Sequence, residues 1–250
     1  AWQNPAMTAF RAAVSLLVVA SLALASAASA ASKDRVLIFT KTAGFRHDAI
    51  PTAVATLRAL ANDAGMAADH TEDATVFTAQ NLAHYRVVVF ASTTGDVLDD
   101  TLQAAMEGFI RDGGGFVGVH AAADTEYDWP WYGDLVGAFF LSHPPGLQRT
   151  HVQPEHAGKP VGERWPITDE LYNYRRNPRP QVQVIATVDE TGYEGGTMGD
   201  DHPIAWCRPF DGGRSWYTGL GHDAKVYDDK NVIAQLVRGL RYAARRSEEC

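Results

Sequence analysis

The sequence has 250 residues, 46% hydrophobic, 21% charged and 10% aromatic, which excludes a disordered chain, and it carries no collagen-like glycine period. Formal net charge is −8, from 22 Lys and Arg against 30 Asp and Glu, with no basic stripe, so nucleic acid is not expected as a partner.

In chain order, Met7 reads as the start, with residues 1–6 upstream of it. Ala12 to Ala25 is an apolar run behind Arg11, and Ala28-Ser29-Ala30 fits a small-residue cleavage site. The run is shorter than the ~20 residues that a membrane span needs. The expectation is a signal peptide, export to the periplasm or the medium, and no membrane attachment after cleavage. Arg35 to Thr40 is a short run rich in branched residues, the mark of a buried strand. Pro51 to Ala64 places Val54, Leu57, Leu60 and Ala61 at helical spacing, and Gly65 stops it. Met66–Thr71 and Val87–Ala91 read as the second and third strands, Asp99–Arg111 as an amphipathic helix, and Phe116–His120 as the fourth strand. Gly113-Gly114-Gly115 precedes that strand, whereas a phosphate cradle needs strand, glycines and helix in that order. No nucleotide cofactor is expected.

Asp124 to Pro180, rich in Pro, Gly and aromatics, reads as an elaborate loop region. Gln181–Val188 and Ile204–Arg208 are strand-like, and the turn Asp211-Gly212-Gly213 joins Ala205–Arg208 to Arg214–Tyr217 as a hairpin. Asp228–Arg246 closes the chain as a helix. Strands apolar on both faces, separated by amphipathic helices, predict an α/β fold with a mostly parallel sheet, helices on both faces and a late hairpin. Export would permit a disulfide between Cys207 and Cys250. Two distant thiols do not make a staple framework, however, and the expectation is two unpaired thiols with Cys207 as core filler.

Ligands of a parallel α/β sheet bind outside the carboxyl ends of its strands. His47 follows the first strand, His120 ends the fourth, and His222 follows the late strand Ser215–Leu220. His143, Asp169 and Glu170 could join them from the long loop region. Convergent imidazoles suit a divalent metal such as zinc, with His47, His120 and His222 as ligands. They equally suit acid–base catalysis at a carbonyl or glycosidic bond, for which His120, His222 and Glu170 are the candidates. His70, His84, His151 and His156 lie in polar stretches read as surface, and His202 before Pro203 stays open. Gly118-Val119-His120-Ala121-Ala122 has the pattern of a nucleophile elbow with histidine at the bend, where Ser or Cys acyl-enzyme chemistry is not possible. Tyr127–Tyr132 and Tyr172-Asn173-Tyr174-Arg175 combine flat apolar faces with polar groups, which suits sugar rings or the anchoring of a long loop.

The motifs Lys41-Thr42-Ala43-Gly44-Phe45-Arg46-His47, Ser92-Thr93-Thr94-Gly95-Asp96, Gly114–His120, Asp124–Tyr127, Thr168–Asn173, His202–Trp206 and Tyr217–His222 together resemble the ThuA-like (trehalose utilisation) family, from about Arg35 to Ala244. The resemblance implies a flavodoxin-like fold of the class I glutamine amidotransferase kind. Residues 1–30 would be upstream residues plus signal peptide, and 31–250 a single ThuA-like domain. His120 stands where an amidotransferase has its cysteine, so amidotransferase activity is not expected. The resemblance further implies disaccharide catabolism, in particular 3-keto sugars. The function expected is an exported hydrolase, lyase or isomerase acting on a disaccharide or glycoside, or on its 3-keto derivative. Arg46, Asp124, Tyr127, Trp131, His143, Tyr172 and Asn173 are the candidate substrate contacts. The alternative is a non-catalytic sugar-binding module.

Overall fold

The computed structural model describes residues 35–250, and the expected signal peptide lies outside them. The elements in chain order are β1 (Arg35–Phe39), α1 (Ile50–Asp63), β2 (Ala67–Thr71), α2 (Ala79–Leu82), β3 (Val87–Ala91), α3 (Asp100–Arg111), β4 (Gly115–Val119), α4 (Pro130–Val136), β5 (Phe140–Ser142), β6 (Gln148–His156), β7 (Lys159–Pro160), β8 (Trp165–Asp169), β9 (Asn173–Tyr174), β10 (Gln183–Val188), β11 (Pro203–Phe210), β12 (Gly213–Thr218) and α5 (Lys230–Ala243). The main sheet runs β2-β1-β3-β4-β12-β11-β10-β6-β7, with β8 also pairing β6. Its first five strands are parallel, and β12 turns back through β11 into an antiparallel wing. The α/β expectation holds: a parallel core covered by helices on both faces, with the hairpin β11–β12.

Alternation within each parallel strand explains the two covered faces. Val36 and Ile38 of β1, Val87 and Val89 of β3, Val117 of β4 and Trp216 of β12 pack with α1 and α5. Leu37, Phe39, Val88, Phe90, Phe116 and Tyr217 point the other way, into a core with residues of α3 and α4. A strand with both sides buried reads as a continuous apolar run. The hairpin turn puts Asp211 at φ 44° and Gly212 at φ 88°, the paired left-handed conformation that two-residue hairpins favour.

Two expectations are corrected. Cys207 and Cys250 form a disulfide, with their Cα atoms 6.3 Å apart, so neither is a free thiol. The chain after α5 folds back so that Cys250 is buried in the same core cluster as Cys207, a tertiary contact that spacing alone could not show. The stretch 124–180 is not only loop: it carries α4 and strands β5–β9. Its strands are short or edge-exposed, so their apolar periodicity is weak and turn residues dominate the pattern.

Candidate active site at the strand ends

His120 follows β4 directly, at φ 52°, so the chain turns sharply and throws the ring over the sheet edge. A left-handed conformation at a non-glycine residue is uncommon and persists only where its surroundings hold it. Two contacts hold it here. Tyr217 Oη donates to the His120 carbonyl at 2.9 Å, and the His120 ring packs on Tyr172 with centroids 4.4 Å apart. The Gly219 carbonyl can only accept, so its 2.9 Å contact makes His120 Nδ1 the donor and turns Nε2 toward the cluster.

His47, from the loop after β1, brings Nε2 to 3.1 Å from His120 Nε2. His222, from the loop after β12, has its ring centroid 5.1 Å from His47 and 5.3 Å from His120. Gly221 precedes it at φ 139°, and a Cβ there would lie 2.8 Å from Tyr227 Oη and 3.2 Å from His120 Cβ, so the turn that delivers His222 requires glycine. Glu170 follows β8 and faces three imidazoles: His120 Nε2 at 3.4 Å, His222 Nδ1 at 3.2 Å and His143 Nδ1 at 3.2 Å. One ligand atom each from His47, His120, Glu170 and His222 lie within 4.8 Å of one another.

The electrostatics follow from this crowding. Burial pushes His47 down to about 3, reinforced by the neighbouring His120 and His222, so its ring is neutral across the physiological range. Burial acts to raise Glu170, but the imidazoles of His120 and His222 prevail and hold its carboxyl well below the usual carboxylate range. The Glu170 carboxylate in turn raises His222. Asp169, fully buried, is pushed up by burial although its carboxylate accepts from the Gly221 and Asp223 amides at 2.7 and 2.9 Å. It braces the turn that carries His222.

The cluster could hold a divalent metal. Three nitrogens and one carboxylate are the donor set of such sites. The His120 ring already donates its other N–H to a backbone carbonyl, as metal-bound histidines do. The Nε2 atoms of His47 and His120 meet at 3.1 Å, and the buried His47 Nδ1 makes no hydrogen bond. A cation at the centre would draw these converging nitrogens and the carboxylate together.

The other sequence candidates divide. Asp124 and Tyr127 stay near the cluster as a pair, Tyr127 Oη donating to Asp124 Oδ1 at 2.5 Å, with burial raising both and the Arg175 guanidinium 4.0 Å over the Tyr127 ring. His143 and Tyr172 also border it, their rings stacked at 6.3 Å. Arg46 is committed elsewhere, its guanidinium paired with both Glu72 oxygens at 2.7 and 3.1 Å. Asn173 is committed to the scaffold, donating to Gly195 O at 3.0 Å and accepting from Thr197 N at 2.8 Å. Trp131 stacks on Trp129 and donates to Asp211, on the flank of α4 and the hairpin turn. Sequence reading assigned no role to His202, which is fully buried and donates from Nε2 to the Tyr172 carbonyl at 2.9 Å while Nδ1 lies 2.8 Å from Glu190. It supports the segment that carries Glu170. The His-Pro pair before a strand was its only sequence trace.

Residues 35–243 match the family described as ThuA, trehalose utilisation. The chain belongs to this family. Its role is therefore carbohydrate-related. A ThuA-like protein from Bacteroides uniformis superposes with a TM-score of 0.70 at 21% identity, covering 88% of this chain and 94% of that one. A ThuA-like protein from Parabacteroides merdae gives a TM-score of 0.70 at 18% identity, covering 85% and 90%. The β-galactosidase from Rahnella sp. R3 shares the fold over 84% of this chain and 31% of its own, with a TM-score of 0.53 at 14% identity. At these identities the likeness is one of fold. No curated protein matches the chain.

Proposed function

We propose that this ThuA-like chain is an exported enzyme acting on a disaccharide or glycoside, or on its 3-keto derivative, with His47, His120, Glu170 and His222 as its polar centre. One observation carries the reading: imidazoles from three distant chain segments and one carboxylate meet at the carboxyl edge of the sheet, in a family of trehalose utilisation. The Cys207–Cys250 disulfide and the apolar leader of the sequence support export.

A 3-keto group acidifies the sugar C2 proton. His222 is the most open of the three cluster histidines, with 27% of its side chain exposed, and Glu170 orients it and raises its basicity. It takes the C2 proton, the C1–C2 double bond forms, and the C1–O bond breaks. The resulting imidazolium returns the proton to the departing glycosidic oxygen. His47, His120 and His222 would hold a divalent ion, which when bound supplies Lewis-acid polarisation of the sugar carbonyl. With His222 committed to such an ion, Glu170 would be the group left to take the C2 proton. Tyr172, packed on His120, keeps water from the inner face of the cluster.

The test combines elemental analysis of the purified protein with turnover of 3-keto-trehalose. We expect stoichiometric divalent metal, and a fall in kcat/KM of about 100-fold or more in His222→Ala, the range of a lost acid–base group, with a comparable fall in His120→Ala, which removes the ring at the middle of the centre. Unchanged turnover in both variants sinks the mechanism.

A further inference from the structure

Among the described residues Phe45 is the one Phe, Trp or Tyr side chain that is exposed, at 65%. It lies two residues before His47, and its ring stands edge-on to the His47 ring with centroids 4.9 Å apart. Its backbone is tied down. Thr94 Oγ1 donates to the Phe45 carbonyl at 2.9 Å, Gly44 N–H donates to the same hydroxyl at 3.2 Å, and Ala43 N–H donates to the Thr94 carbonyl at 2.7 Å. The loop after β1 is thus fastened to the loop after β3, and the aromatic ring is held in solvent beside a buried catalytic cluster.

A lone exposed apolar residue is ordinary; what singles out Phe45 is that its ring is fixed edge-on to an imidazole of the cluster. Leu141, 56% exposed, lies on the segment that carries His143, and His143 meets Glu170. The aromatics nearer the centre have no open face of this extent: Tyr172 is buried, and Tyr127 lies under Arg175.

We infer that Phe45 is the platform of a sugar subsite, packing against the C–H face of a pyranose ring whose polar edge then lies towards the histidines. A flat apolar ring beside a polar centre fits a ligand with one apolar face and a hydroxyl-rich rim. The inference rests on the carbohydrate reading above and assigns it a recognition residue.

Calorimetric titration of trehalose and 3-keto-trehalose into the wild-type protein and the variants Phe45→Ala, Phe45→Leu and Phe45→Trp tests it, with turnover measured alongside. Because the side chain is exposed, all three variants should melt with the wild type. The expected result is binding weakened roughly tenfold in Phe45→Ala, as for loss of an aromatic contact, less weakened in Phe45→Leu and retained in Phe45→Trp, with KM following the same order. Wild-type affinity in Phe45→Ala overturns the platform while leaving the enzyme reading intact. A wild-type protein that neither binds nor turns over either sugar overturns the enzyme reading, and the platform with it.

Discussion

Asp169 and Glu170 are neighbours in sequence, both buried, and driven in opposite directions. For Asp169 burial outweighs the His120 imidazole and the backbone amides and raises it; for Glu170 the imidazoles of His120 and His222 outweigh burial and lower it. The pair shows how environment sets the task of chemically equivalent groups. Glu170→Gln keeps the shape and removes the charge that holds His222 up. If His222 is the base, it must be neutral to act, so a lower His222 pKa should move the acidic limb of the kcat/KM profile to lower pH; activity lost at every pH would instead mark Glu170 as the base. Asp169→Asn offers one acceptor oxygen where two amides now find two. The His222 turn should loosen and turnover fall up to about 100-fold, as for a misplaced catalytic group, with melting shifted only slightly. Normal kinetics in that variant would remove the bracing role.

Carboxylates hold the loop-to-helix junctions of α3 and α5. Asp99 caps α3 by accepting from Thr101 N and Leu102 N, both at 3.0 Å, and Asp229 caps α5 through Asn231 N and Val232 N. Asp229→Ala should cost about 1 kcal/mol of stability in denaturant unfolding. Glu126 does a similar task from a distance: its Oε1 accepts from Val97 N at 2.8 Å and Leu98 N at 2.7 Å, fixing the approach to α3, while Gln103 donates to Oε2. Burial raises its pKa in the folded state. A raised folded value means that its stabilising contribution is complete below the ordinary carboxylate range and fades as pH rises through the folded pKa. Glu126→Gln keeps an acceptor for both amides, so its stability should flatten over that window where the wild type declines. Parallel pH–stability curves for the two proteins would show that Glu126 carries no such dependence.

For the whole molecule, the disulfide links β11 to the chain beyond α5, closing a loop with a sequence separation of 43. Chain-entropy arguments give such a closure about 4 kcal/mol as an upper figure. The double variant Cys207→Ala/Cys250→Ala should therefore melt clearly lower than the oxidised protein, and reducing agent should shift the wild type the same way. Identical melting with and without reductant would mean that the bridge adds no stability. Among the described residues no helix is long and apolar enough to cross a membrane. The parallel sheet sets its carboxyl edge as the meeting place for the loops after β1, β4, β8 and β12, so the fold itself brings the candidate centre together.

The parallel core was legible because β1, β3 and β4 are short branched or aromatic runs bounded by helices, a local pattern. The candidacy of His47, His120, Glu170 and His222 was legible from strand ends and from family motifs. Contacts between segments far apart in the chain were not. That Arg46 spends its charge on Glu72, that Cys250 returns to Cys207, and that Phe45 is left uncovered beside His47 depend on how distant loops pack. Side-chain periodicity reports which face of an element is buried, but a pair of residues meets only through the tertiary arrangement that places one element against another.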